Sequence, residues 1–226
     1  MDLMEDYPAN IAAMLLNNAI DIGLVPVAII PQMKDYHIVT DYCIGATKEV
    51  ASVCIFSEVP LQEIKTLILD YQSRTSVALA KILLEKYWKI NVTFSEANKN
   101  FDKEIKGTTA AVVIGDRAFK QRKRSAFHYD LASAWIDFTG LPFVFAAWVA
   151  NKKLPEDFIN QFNEANKTGL QNLDAVVAEN LSPYYDLKTY YTQNISYYLT
   201  LEKRKGLEKF LSLLKDPNTS HLTLYT

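Results

Sequence analysis

The chain has 226 residues, 49% of them hydrophobic and 22% charged, with a formal net charge of −2. That length suffices to bury a substantial core without disulfides or metal, and the near balance of charge excludes the basic excess of a nucleic-acid binder. No apolar run reaches the roughly 18–20 residues of a membrane span, and the N-terminus lacks a basic segment followed by an apolar core and a cleavage site, so a cytoplasmic protein with no membrane partner is expected.

Taken in chain order, "MDLMEDYPANIAAMLL" reads as a helix, with Pro8 in its first turn, where proline is tolerated. "AIDIGLVPVAII" follows as a short β-rich segment in which Pro26 marks a strand end or an edge. Strands are expected at 50–57, 66–70, 90–95 and 110–116, with helices at 73–88 and 129–137. The strands are continuous apolar runs rather than alternations, the pattern of a parallel sheet covered on both faces. Cys43 and Cys54 fall in or beside such runs and read as buried free thiols. The basic "KQRKR" at 120–124 reads as a solvated loop.

Beyond Asn151 the pattern turns helical. Pro155 and two acids open a helix of about seven turns, whose stripe Phe158, Phe162, Ala165, Gly169, Leu173 and Val176 is expected in the core. "LKTYYTQNISYYLT" and "EKRKGLEKFLSLLKD" read as two more helices. The fold class is α/β with a helical C-terminal third. Two lobes are expected, 1–52 with 146–226 and 53–145.

Three stretches could carry chemistry. In "DYQSRTS" (70–76) a strand hands over to a helix, and Ser73 or a neighbour occupies the N-cap. Free amides, the positive end of the helix dipole and the hydroxyls of Ser73, Thr75 and Ser76 suit a carboxylate or phosphate, to which Arg74 could add a fork. The plainer reading is a good cap with Arg74 in water. In "VVIGDRAF" Asp116 either touches a ligand or accepts backbone amides in a turn. In "FTGLPFVF" Gly140 and Pro142 form a hinge, a pocket wall or a rigid turn. His37, His128 and His221 lie in loop-like or terminal stretches without metal-ligand spacing, and neither a GxSxG elbow nor a Cys–His arrangement appears. The absence of a lysine-bearing Gly-rich loop argues against nucleotide phosphates.

Together, "IDIGLVPVAII", "YHIVTDYCIGA", "VASVCIFSEVPLQEI", "LILDYQSRTSVALAKILL", "AAVVIGDRAF" and "YDLASAWIDFTGLPFVFAAWVANKKLP" resemble, in order and over about residues 2 to 216, the chorismate dehydratases of the futalosine route to menaquinone. "LDYQSRTSVAL" and "TGLPFVFAAW" are the most specific pieces. The resemblance implies a type II periplasmic-binding-protein-like fold, two α/β lobes around a cleft. It implies an enzyme that dehydrates chorismate to 3-[(1-carboxyvinyl)oxy]benzoate with no metal or other cofactor; a monomer or homodimer is expected, and the sequence does not choose between them. By motif position it makes Ser52, Ser73, Arg74, Thr75 and Ser76 carboxylate or cleft contacts, with Thr47 beside the turn before the crossing strand as another. It also implies a strand with a Ser-Tyr-Leu-Asn-like motif, and then a helix, ahead of the segment matching "DLMEDYPANIAAML". Met1 falls just before that segment, so a start site displaced downstream or a shortened chain is expected. Two alternatives stay open: the sister enzyme that makes 1,4-dihydroxy-6-naphthoate from cyclic dehypoxanthine futalosine, and a carboxylate-binding protein of the same fold without catalysis.

Overall fold

The computed structural model describes residues 2–70, 73–98, 100–180 and 182–215; Tyr71 and Gln72 of "DYQSRTS", and His221, lie outside the described residues. Helix α1 (Pro8–Leu16) starts on Pro8 and buries Ala12 and Leu15. Strands β1 (Ile22–Pro26) and β2 (His37–Ala46) follow, separated by a 3₁₀ turn over Val27–Gln32. The chain then crosses into β3 (Val53–Ser57), β4 (Thr66–Leu69), helix α2 (Arg74–Ile82), β5 (Thr93–Glu96), β6 (Thr109–Ile114), α3 (Asp116–Arg122), β7 (Phe127–Asp130) and α4 (Leu131–Thr139). It returns through β8 (Phe143–Ala150) to α5 (Glu156–Gln171), α6 (Leu173–Glu179), α7 (Leu187–Thr189), β9 (Ser196–Tyr198) and α8 (Leu201–Leu214).

The strands form two sheets. The first, ordered β1-β8-β2-β9, is antiparallel, and β1 is an edge strand whose last residue is Pro26, where a missing amide hydrogen breaks no ladder. The second, ordered β5-β4-β6-β3-β7, is parallel from β5 to β6 and antiparallel from β6 to β7. The expectation of a parallel sheet thus holds for three strands only. Continuous apolar runs report burial on both faces, and this sheet has that whatever its strand directions. Val53, Ile55, Leu67, Leu69, Ala110 and Val112 join the main core, while Cys54, Phe56, Ile68, Ala111 and Val113 pack on the other face with Phe101, Ile105 and Ala118. Both cysteines are buried and free.

Other sequence expectations are corrected here. His37 opens strand β2 and His128 lies within β7, so neither sits in a loop. The "KQRKR" stretch begins in the last turns of α3, where Gln121 is buried. The expected seven-turn helix breaks at Asn172 into α5 and α6, and neither holds a fully buried residue. Its stripe covers the first sheet only from one side: Phe162 packs edge-on against Trp148 at 4.9 Å, whereas Ala165, Gly169 and Val176 are exposed. "LKTYYTQNISYYLT" divides into α7, a π-helical turn (Tyr190–Asn194) and β9, because aromatic and β-branched residues in its second half favour a sheet edge.

Two contacts fix α8. Gly206 lies so close to the return crossing that a Cβ there would collide with the carbonyl oxygen of Pro142. Lys203 is fully buried. Its ammonium donates to the Ser196 carbonyl at 2.5 Å, the Ser196 hydroxyl at 2.8 Å and the Tyr198 carbonyl at 2.8 Å, tying α8 to β9. Burial holds the Lys203 pKa below its ordinary 10.5, against the raising influence of Cys43.

Gly206→Ala is expected to destabilise the protein by about 1–3 kcal/mol, because overpacking against backbone outweighs the better helix propensity of alanine; a urea denaturation midpoint at or above that of the parent would refute the close approach. For Lys203 the native state releases its proton before the unfolded chain does, so stability rises with pH through the window below 10.5. The stability difference between the parent and Lys203→Met, measured by urea titration at several alkaline pH values, is expected to shift toward the parent as pH approaches 10.5, and a flat difference would contradict a desolvated ammonium.

Candidate functional site

The register of the second sheet gathers several chain turns on one edge. β4 and β6 run parallel and end there, at Asp70 and Gly115, while antiparallel β3 begins there, with Val53 opposite Ile114. Ligand sites of open α/β sheets form beyond strand carboxyl ends. Ser52, the start of α2 with Ser73 to Ser76, and Asp116 at the start of α3 all lie along this edge. Thr47 stands in the crossing from β2 toward β3 and is exposed.

Ser73 caps α2. Its hydroxyl accepts from the Ser76 amide at 3.2 Å and donates to the Ser76 hydroxyl at 2.7 Å. Thr75 and Ser76 are buried, and the Thr75 hydroxyl accepts the Ala28 amide at 3.2 Å. Ala28 belongs to the 3₁₀ turn that follows β1, so this bond joins the end of a first-sheet strand to a second-sheet helix. Arg74 is half-buried and has no hydrogen-bond or ion-pair partner among the described residues. The cap and a bond between elements of the two sheets therefore coexist in one helical turn.

Behind this turn lies an ion pair that the sequence pattern did not mark. The buried Asp70 carboxylate accepts both of its oxygens' bonds from Arg117 Nη2, at 2.9 and 2.6 Å, and a third from the Ile114 amide at 3.3 Å. The Arg117 guanidinium also lies 5.2 Å from the centre of the Phe101 ring. Asp116, one residue earlier, is exposed and opens α3 after Gly115, whose φ of 62° makes the tight turn.

Ser52 is held by a second network. Its amide donates to the Val50 carbonyl and its carbonyl accepts from Gly115, each at 2.8 Å. Ala51, just before it, has a left-handed φ of 65°. The Asp130 carboxylate fixes that bend by accepting the amides of Val50 (3.2 Å) and Ala51 (2.8 Å), and also caps α4 through Ala132 and Ser133, both at 3.0 Å. Burial raises the Asp130 pKa above its ordinary value, although the Ser133, Val50 and Ala51 amides pull it down. Arg122 donates to the Ala51 carbonyl at 3.0 Å and pairs with Glu49. His128, 3.1 Å from Arg122, has its pKa lowered by burial and by that guanidinium. Burial drives the Cys54 thiol well above its ordinary range, so it is an inert neighbour rather than a nucleophile.

The side chain of Ser52 meets a residue from far along the chain. Its hydroxyl is 2.8 Å from the Tyr190 hydroxyl, in the π-helical turn. Burial pushes Tyr190 up to about 12, so the phenol stays protonated at neutral pH. Among the described residues no cluster of His, Cys, Asp and Glu could hold a metal ion, and no helix is long and apolar enough to cross a membrane.

Known proteins match this chain along most of its length. It is 26% identical to the chorismate dehydratase of Thermus thermophilus over an alignment spanning 95% of this chain and 87% of that protein. Among solved structures it is similar to a protein from Archaeoglobus fulgidus, with a TM-score of 0.67, 14% identity, and 96% and 86% of the two chains covered. It is also similar to an ABC transporter protein from Parabacteroides distasonis (TM-score 0.64, 16% identity, coverage 96% and 82%). A third is the periplasmic aliphatic sulphonate binding protein of Escherichia coli (TM-score 0.54, 12% identity, coverage 92% and 79%). These likenesses give the fold as α/β and periplasmic-binding-protein-like. The profile of the family described as "Menaquinone biosynthesis" matches residues 1–216, and the chain belongs to that family.

Proposed function

We propose that this chain is a hydro-lyase that removes water from chorismate to give 3-[(1-carboxyvinyl)oxy]benzoate in menaquinone biosynthesis. The observation that carries the reading is the start of α2, where capping hydroxyls and an arginine without a partner among the described residues face one sheet edge. Family membership and the likeness to the Thermus thermophilus chorismate dehydratase support this choice of reaction. The lobe division 1–52 with 146–226 and 53–145 belongs to this proposal, with substrate between the lobes, as does a cytoplasmic location.

Chorismate carries two carboxylates. One would lie at the start of α2, against the amide dipoles of the first turn and the Arg74 fork, with Ser73, Thr75 and Ser76 around it. Ser52 and Asp116 lie along the same edge and would border the ring, with Thr47 on the approach. Loss of the ring hydroxyl with a ring proton makes the ring aromatic, which gives the elimination a large driving force. The protein's work is then mostly orientation and exclusion of competing rearrangements. A substrate carboxylate serves as the internal base, so no protein base is needed.

Incubating the purified protein with chorismate and following the new benzoate chromophore, with mass spectrometry for loss of one water, tests the reading directly. Binding without turnover would leave a carboxylate binder, and turnover only of cyclic dehypoxanthine futalosine would give the sister activity. Arg74→Gln is expected to raise KM for chorismate about tenfold or more, as loss of a charge-assisted bond does. Unchanged kinetics in Arg74→Gln would move the carboxylate away from α2.

A further inference from the structure

The Ser52–Tyr190 contact is the one polar link between the site edge and the aromatic C-terminal segment whose purpose the fold does not already explain. The π-helical turn is anchored without it. Asn194 donates to the Glu49 carbonyl at 3.0 Å and accepts from Tyr185 at 3.1 Å, and Asp186 caps α7 through the amides of Lys188 and Thr189. The Tyr190 ring is packed on its own account, edge-on to Phe119 at 5.1 Å and near Tyr185 at 6.3 Å. Ser52 is likewise fixed through its backbone. The two hydroxyls are thus brought to 2.8 Å by elements that would stand without the bond.

Two hydroxyls joined by a single hydrogen bond hold two protons and use one between them, whichever oxygen donates. The other proton is left to point at a third acceptor, and the first bond polarises the pair and strengthens that donor. We infer that Tyr190 is a positioning residue for substrate: it locks the Ser52 hydroxyl so that the pair presents one O–H to a carboxylate or ring oxygen of the ligand. The inference rests on the dehydratase reading for the identity of that ligand, and on geometry for the donor. Because burial holds the phenol proton to about 12, and Asp116 adds to that hold, the pair acts as donor and not as base. The π-helical geometry supports the assignment, since such turns often occur at functional sites.

Tyr190→Phe keeps the ring and removes only the hydroxyl. The full chain carrying Tyr190→Phe, Ser52→Ala or both should be assayed for chorismate turnover and, separately, for chorismate binding by calorimetry. Each single substitution is expected to weaken chorismate binding about tenfold, with the loss falling more on KM than on kcat. The double variant is expected to lose little beyond either single one, because breaking the pair from either side already removes the oriented, polarised O–H. Losses that simply add, or a Tyr190→Phe protein of normal fold that binds chorismate as the parent does, would overturn the inference. Absence of turnover in the parent, with binding that Tyr190→Phe still weakens, would sink the dehydratase reading and leave the donor pair standing. A parent that does not bind chorismate would overturn both. Circular dichroism and a urea midpoint on each variant separate misfolding from lost binding, and weaker chorismate binding at an unchanged urea midpoint is a signature that a merely structural bond would not give.

Discussion

One carboxylate sets the geometry on which the site depends. Asp130 accepts four backbone amides, two from the crossing segment and two from the first turn of α4. A hydrogen bond to a charged group contributes about 1.5–3 kcal/mol, and the four are not additive, but their combined effect is directional. Immediately beyond these two amides the chain bends at Ala51, with its left-handed φ of 65°. That bend delivers Ser52 to the start of β3 with its hydroxyl at the sheet edge. Because Asp130 is also the last residue of β7 and pairs with Cys54 in register, the clamp ties the bend to the sheet itself. Arg122 and Asn194 add bonds to the Ala51 and Glu49 carbonyls, so side chains from β7, α3 and the π-helical turn together hold the crossing backbone.

The sequence made the elements legible wherever local chemistry decides them. Pro8 and Ser73 sit where a helix start and cap were readable, and four of the second sheet's five strands fall close to expected runs, whereas β7 was not expected. What it concealed was pairing. An apolar run such as β3 reads the same whether its neighbour is parallel or antiparallel, and β2, with its exposed positions, showed too mixed a pattern to stand out. The α5–α6 stripe read as core because spacing reports amphipathicity but not how much surface the partner covers. Here the partner is the outer face of a four-stranded sheet, and the far end of the stripe extends past it.

The candidate site was legible only in its contiguous part, for a related reason. Ser73, Arg74, Thr75 and Ser76 are contiguous, and a strand-to-helix handover is a local signal. Asp70 with Arg117, Ser52 with Tyr190, and Asp130 with Val50 and Ala51 are pairs made by topology across long stretches of chain. Asp130 did leave a trace, an aspartate just ahead of an apolar helix, but a cap signal cannot reveal that the same oxygens serve a second segment. Tyr190 left none, since one tyrosine in a tract rich in tyrosine carries no distinguishing mark.

The close seating of Gly206 on Pro142 has a mechanical meaning for a protein built as two sheets joined by two connections. Backbone meets backbone there, with no side chain between to swivel or slide. The return connection therefore cannot flex without carrying α8, and α8 is bolted to β9 through Lys203. The outgoing connection is equally bound by Asp130. Both connections between the sheets are thus braced by backbone or buried polar contacts, in contrast to linkers that swing freely.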